Sequence, residues 1–183
     1  MKKRIDTKKM ALSAMMLALA YVLPFVTGQI PEIGNMLCPM HIPVLLCGFL
    51  CGVPYGLVIG FFAPLLRSLI LGMPPMFPKA ICMAFELAVY GMVSGYMHNK
   101  LPTKKGYIYL SLVTAMIAGR IVWGGAMYLC MGISTGAFGF SAFLAGAVTN
   151  AIPGIIIQLI LIPIVVIFAE NQTTYFLFDK KRK

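Results

Sequence analysis

Arg67, Lys79 and Glu86 fall within about twenty residues of one another in FAPLLRSLILGMPPMFPKAICMAFELAVY, residues 62–90, and Arg120 and Asn150 interrupt equally apolar stretches further along. A carboxylate and a guanidinium in such surroundings can do two things. They can pair with each other, or they can hold the charged and polar groups of a ligand. In hydrocarbon an ionisable side chain costs at least ~2.5 kcal/mol on insertion scales, so it normally faces a cavity, water or a partner. Hydrolytic and phosphate chemistry have no carrier here. The chain contains no GxxxxGK[ST] loop, no HExxH, no GxSxG and no paired Asp/Glu constellation, so no catalytic residue and no cofactor is expected. Cys38, Cys47, Cys51, Cys82 and Cys130 lack CxxC or other metal spacing, and they read as small apolar packing residues.

The elements that must position these groups are membrane helices. Of the 183 residues, 60% are hydrophobic and 11% charged, against roughly 25% charged in soluble domains. One crossing of a ~30 Å hydrocarbon core uses about 20 residues, so the length accommodates about six spans in a single domain covering residues 1–183. The apolar segments are 9–27, 41–52, 54–71, 79–97, 107–131 and 144–169. The basic start followed by an apolar run is read as a retained first span, because no convincing small-x-small cleavage site follows it.

The break at Cys51-Gly52-Val53-Pro54 leaves open whether 41–71 is one span or two, and charge decides between them. Lys and Arg cluster at positions 2, 3, 4, 8 and 9, at 100, 104 and 105, and at 180–183, which accounts for all basic residues but Arg67, Lys79 and Arg120. The positive-inside rule places those three clusters in the cytoplasm. An even number of crossings must therefore separate residues 9 and 100, which requires two spans in 41–71. The expected fold is an all-α membrane protein of six transmembrane helices with both termini cytoplasmic. The net charge of +10 is then a topology signal and a partner for anionic lipid, not a nucleic-acid footprint.

This topology turns 28–40, 72–78 and 132–143 outward. These segments read GQIPEIGNMLCPM, GMPPMFP and GISTGAFGFSAF, rich in Gly and Pro, and suit ordered turns over a cavity. Counted from the outer ends of the spans, Arg67 lies about 6 Å deep, Glu86 about 10 Å, Asn150 about 9 Å and Arg120 about 16 Å. The inner half holds little beyond Gln158 and the interfacial Glu170. The polar groups thus point to an outward-facing pocket, with His41 and Lys79 at its rim beside Gln29, Glu32 and Asn35. The structural alternative is a Glu86–Arg120 ion pair that only fixes helix packing, with Arg67 snorkelling to the interface. Trp123 and Tyr128 either stack on a ring or belong to the interfacial aromatic belt. Ala14 and Ala18, with Ala11, Ser13 and Ala20, form a small-residue stripe on which another membrane helix can pack closely, within this chain or from another.

Together, the six spans, the Ala14-xxx-Ala18 stripe and the stretch MHIPVLLCGFLCGVPYGLVIGFFAPLLRSL resemble the substrate-binding S components of energy-coupling factor (ECF) vitamin transporters, particularly the pantothenate and folate-type members. The resemblance implies a subunit that captures a vitamin from outside a prokaryotic cell and closes its outer loops over it. It implies partners as well: a membrane coupling subunit and two cytoplasmic ATPases, with the S component toppling to release the vitamin inside. Ala14 and Ala18 match the family's docking motif for the coupling subunit. The family's ligand sites imply Asn35, Glu86, Arg120, Trp123 and Asn150 as substrate-binding residues, joined by His41 and Arg67 from the pocket count. Glu32, Arg67, Lys79, Glu86 and Arg120 carry a small positive excess, which favours an anionic or zwitterionic ligand such as pantothenate. Pyridoxine or a pyrimidine precursor of thiamine also fits, with Glu86 accepting from the ring. A self-sufficient secondary transporter, which needs a polar path to the inner face, and a purely structural subunit are the alternatives.

Overall fold

The computed structural model describes residues 7–26, 36–102, 105–132, 139–147 and 151–180, the side chains of Val26 and of 171–180 excepted. Among the described residues the chain is all-helical: α1 Thr7–Val26, α2 His41–Cys51, α3 Val53–Leu71, α4 Ile81–Lys100, α5 Lys105–Met127, α6 Phe140–Ala147 and α7 Ile152–Lys180. Wide irregular turns at Met76–Ala80 and Tyr128–Gly132 precede α4 and follow α5. Five segments are long and apolar enough to cross a membrane: Thr7–Phe25, Val53–Leu71, Met76–Lys100, Lys105–Gly132 and Ile152–Glu170. Side chains such as Leu69, Ile121, Ile164 and Phe168 are exposed on their outer faces. In water that surface would be unfavourable; in lipid it is the expected one.

The break expected in 41–71 is present. Gly52 adopts φ 92°, a backbone conformation that side chains rarely tolerate, and its N–H caps α2 by donating to the Gly48 carbonyl. Pro54 follows in the first turn of α3, where a missing N–H is harmless. The chain reverses here so tightly that a Cβ on Gly56 would lie 2.8 Å from the Gly48 Cα. With 11 residues, α2 spans only about 16 Å, so its N-terminus at His41 opens inside the protein and not at an outer membrane surface. Ten of its eleven residues are buried, as a helix enclosed on all sides requires.

The central helix is α4, which packs against α2, α3 and α5. Its contact with α3 is backbone on backbone, since a Cβ on Gly56 would lie 2.5 Å from the Gly91 carbonyl oxygen. Close approach through glycine maximises dispersion between helices where water exclusion contributes nothing. At the other end of α4, His98 Nε2 stands 3.1 Å from Glu170 Oε1 and ties α4 to α7.

The last span differs from its expected limits. The apolar run 144–169 contains a short helix ending at Ala147 and a separate helix beginning at Ile152, with Pro153 in the first turn, where proline starts helices more readily than it continues them. This moves the origin of the last long helix eight residues along the chain, and every depth counted along it changes accordingly.

Candidate functional site

Glu86 lies on α4, His41 at the first position of α2 and Arg120 on α5, and the packing of these three helices brings the side chains together. Arg120 Nη1 is 3.0 Å from Glu86 Oε1, and His41 Nε2 is 3.4 Å from the same oxygen. Glu86 is 1% exposed and His41 3%, while Arg120 keeps 15%. Neither contact is aligned as a hydrogen bond. Glu86 Oε1 and both ring nitrogens of His41 are buried without a hydrogen-bond partner. Coulomb attraction between Glu86 and Arg120 holds the cluster, while Glu86 Oε1 and the two His41 nitrogens keep unused bonding capacity.

Local structure explains each placement. Cys38 has φ 47°, and its carbonyl accepts from the His41 N–H at 3.0 Å, which turns the chain into α2 with His41 at the leading edge. The Cys38 sulfur accepts from Arg120 Nη2 at 3.6 Å. A left-handed conformation in a non-glycine residue is strained, and such strain concentrates where a site must be shaped. The His41 ring packs against that of Tyr90, with centroids 5.2 Å apart. Tyr90 in turn fits into space left by Gly119, whose Cβ would collide with its ring. Gly119 immediately precedes Arg120, so the small residue admits Tyr90 and the large one reaches Glu86 one turn of α4 away.

Other residues singled out by the sequence are placed elsewhere. Arg67 is 3% exposed but does not join Glu86. Its Nη1 donates to the Tyr21 carbonyl at 2.6 Å, and its guanidinium lies over the Phe25 and Tyr21 rings at 5.2 and 5.8 Å. It binds α3 to α1 at the turn where Pro24 interrupts the helical ladder. Arg67 therefore stands apart from the Glu86 cluster, held against α1. Trp123 stacks on Phe143 of α6 with centroids 6.4 Å apart, in a small cluster with Cys82 and Met127. Lys79 is exposed ahead of α4. Asn35 and Asn150, with Gln29 and Glu32, lie outside the described residues. Ala14 and Ala18 are exposed on α1, on one face with Ala11, Met15 and Val22.

Sequence reasoning misses the part played by Cys38, whose residue type suggests packing alone. Its place three residues before His41, at the end of a Gly- and Pro-rich loop, was the available signal.

No significant match was found among curated proteins or among solved structures. Residues 8–166 match the family described as ECF transporter, substrate-specific component. The match runs from the first helix to the last and takes in every helix that contributes to the Glu86 cluster, so this chain belongs to the ECF transporter substrate-specific component family.

Proposed function

We propose that the chain captures a small water-soluble vitamin, or a vitamin precursor, at the Glu86–Arg120–His41 cluster, for uptake driven by a separate coupling subunit and two ATPases. The observation that carries the reading is the buried carboxylate with two basic groups on one oxygen and no aligned hydrogen bond to either. A pair built only for packing gains most when its bonds are made, because a buried polar atom left unmet costs about 1–3 kcal/mol. In this reading Asn35 and Asn150 add polar groups to the site, and Trp123 adds an aromatic wall. The protein sits in a prokaryotic plasma membrane as one domain, with six spans counting the short α2 and with both termini cytoplasmic.

The ligand's charge follows from which cations reach the cluster. Pantothenate leads if Arg67 and Lys79 count towards the pocket. With Arg67 committed to α1 and Lys79 exposed, Glu86 and Arg120 nearly cancel, and the balance moves to uncharged ligands such as pyridoxine or the pyrimidine precursor of thiamine. Ala14 and Ala18 would meet the coupling subunit, a role that agrees with their exposure.

Uptake of labelled vitamins into vesicles tests this function. Transport should require the coupling subunit and ATP hydrolysis and should survive collapse of the proton gradient. Uptake by the chain alone would favour a secondary transporter. The 3.0 Å Glu86–Arg120 contact also supports a second reading, in which the pair is structural. Replacing both residues separates the two readings.

A further inference from the structure

Resting on the capture reading, we infer that Gln158 belongs to the ligand site, and that with His41 and Glu86 it selects a neutral small molecule presenting hydrogen-bond donors. Gln158 is 1% exposed, and its Oε1 has no hydrogen-bond partner. A buried amide oxygen left unmet is unfavourable, and more so inside a membrane protein, where water is scarce.

Its position follows from the packing of α7. The buried residues Gly154, Gln158, Ile162 and Val166 recur at intervals of four and form one stripe. α7 packs chiefly against α2 and α5, the two helices that carry His41 and Arg120. Depth agrees as well. A Cβ on Gly154 would lie 2.7 Å from the Met36 carbonyl oxygen and 2.8 Å from that of Leu37, so Gly154 is level with the segment entering α2. Both chains then run in the same direction. One helical turn inward from Gly154 is Gln158, and four residues on from Leu37 the chain enters α2 at His41.

The unmet atoms define the ligand. Glu86 Oε1 and Gln158 Oε1 accept only, and the His41 ring offers at most one acceptor beside at least one N–H donor. Among these unmet atoms acceptors exceed donors, so a molecule that meets them offers N–H or O–H groups there, as an amino- or hydroxymethyl-bearing heterocycle does, with the Arg120 guanidinium donating beside them. With Glu86 neutralised by Arg120, no full charge on the ligand is needed.

The test uses the full chain in detergent, with Gln158→Met, which matches the side chain in length and removes its polar atoms. Thermal unfolding without ligand should show Tm unchanged or raised; a clear fall would mean that Gln158 has a structural partner and would overturn the inference. Binding of pyridoxine, of the aminopyrimidine precursor of thiamine and of pantothenate is then titrated on both proteins. The expected result is binding of a donor-bearing neutral probe by the wild type, weakened roughly tenfold or more in the variant. Equal binding by both proteins, or binding of pantothenate alone, overturns the inference while leaving capture intact. Absence of binding to the folded wild type by all three probes overturns the inference and counts against the capture reading itself.

Discussion

Arg120 reaches Glu86 across the α4–α5 interface to 3.0 Å, and it does so beside Gly119, the residue that lets the Tyr90 ring in. Adjacent positions of α5 therefore supply the cation of the ion pair and the space for the aromatic wall. Removing one charge leaves the other buried and uncompensated, which costs about 3–5 kcal/mol, whereas replacing both with apolar side chains of similar bulk is often close to neutral. Glu86→Met should lower Tm sharply, and Glu86→Met with Arg120→Leu should recover most of the loss. A double-mutant cycle from thermal or denaturant unfolding in detergent measures the coupling.

Arg67 makes the opposite prediction. Its guanidinium is occupied by the Tyr21 carbonyl and two rings of α1. Arg67→Met should destabilise the fold by about 1–3 kcal/mol, because a buried carbonyl loses a charged donor. Ligand affinity, measured by titration calorimetry on the folded fraction, should change less than twofold.

The α3–α4 contact admits no side chain at Gly56 or Gly91. Gly56→Val places methyl groups where the Gly91 carbonyl already lies, and overpacking of this kind costs typically 1–3 kcal/mol or more when backbone must move. The expected outcome is loss of monodisperse protein on size-exclusion chromatography. Gly106→Ala, at a position with nothing within 4 Å, serves as the matched control and should leave the profile unchanged.

The α1 face separates binding from transport. Ala14→Trp and Ala18→Trp point away from the rest of the chain, so each should leave Tm and ligand binding intact. Each should also abolish ATP-driven uptake and co-isolation with the coupling subunit, by blocking close helix approach. Normal uptake by both variants would remove this face from the docking account.

Much of the architecture was legible from residue type. Gly52 and Pro54 mark the reversal between α2 and α3. Glu86 and Arg120 stood out because ionisable groups are expensive in lipid wherever they point. The partners were not legible, because they depend on helix rotation and on where helices begin. Nothing local distinguishes Arg67 facing α1 from Arg67 facing α4. Counting the last span from residue 144 puts Gln158 in the inner half; the helix starts at Ile152, and the same residue lies about 9 Å from that start.

The central claim is that the Glu86–Arg120–His41 cluster binds the substrate, and the most direct test is ligand-dependent thermal stabilisation of the wild type and of the Glu86→Met, Arg120→Leu protein against a panel of water-soluble vitamins and precursors. A ligand at 100 times its Kd adds about 2.7 kcal/mol to the folded state. The account predicts a clear rise in Tm for the wild type with one compound and none for the folded double variant. The same rise in both proteins would contradict it, leaving Glu86 and Arg120 as a packing pair and placing the ligand elsewhere.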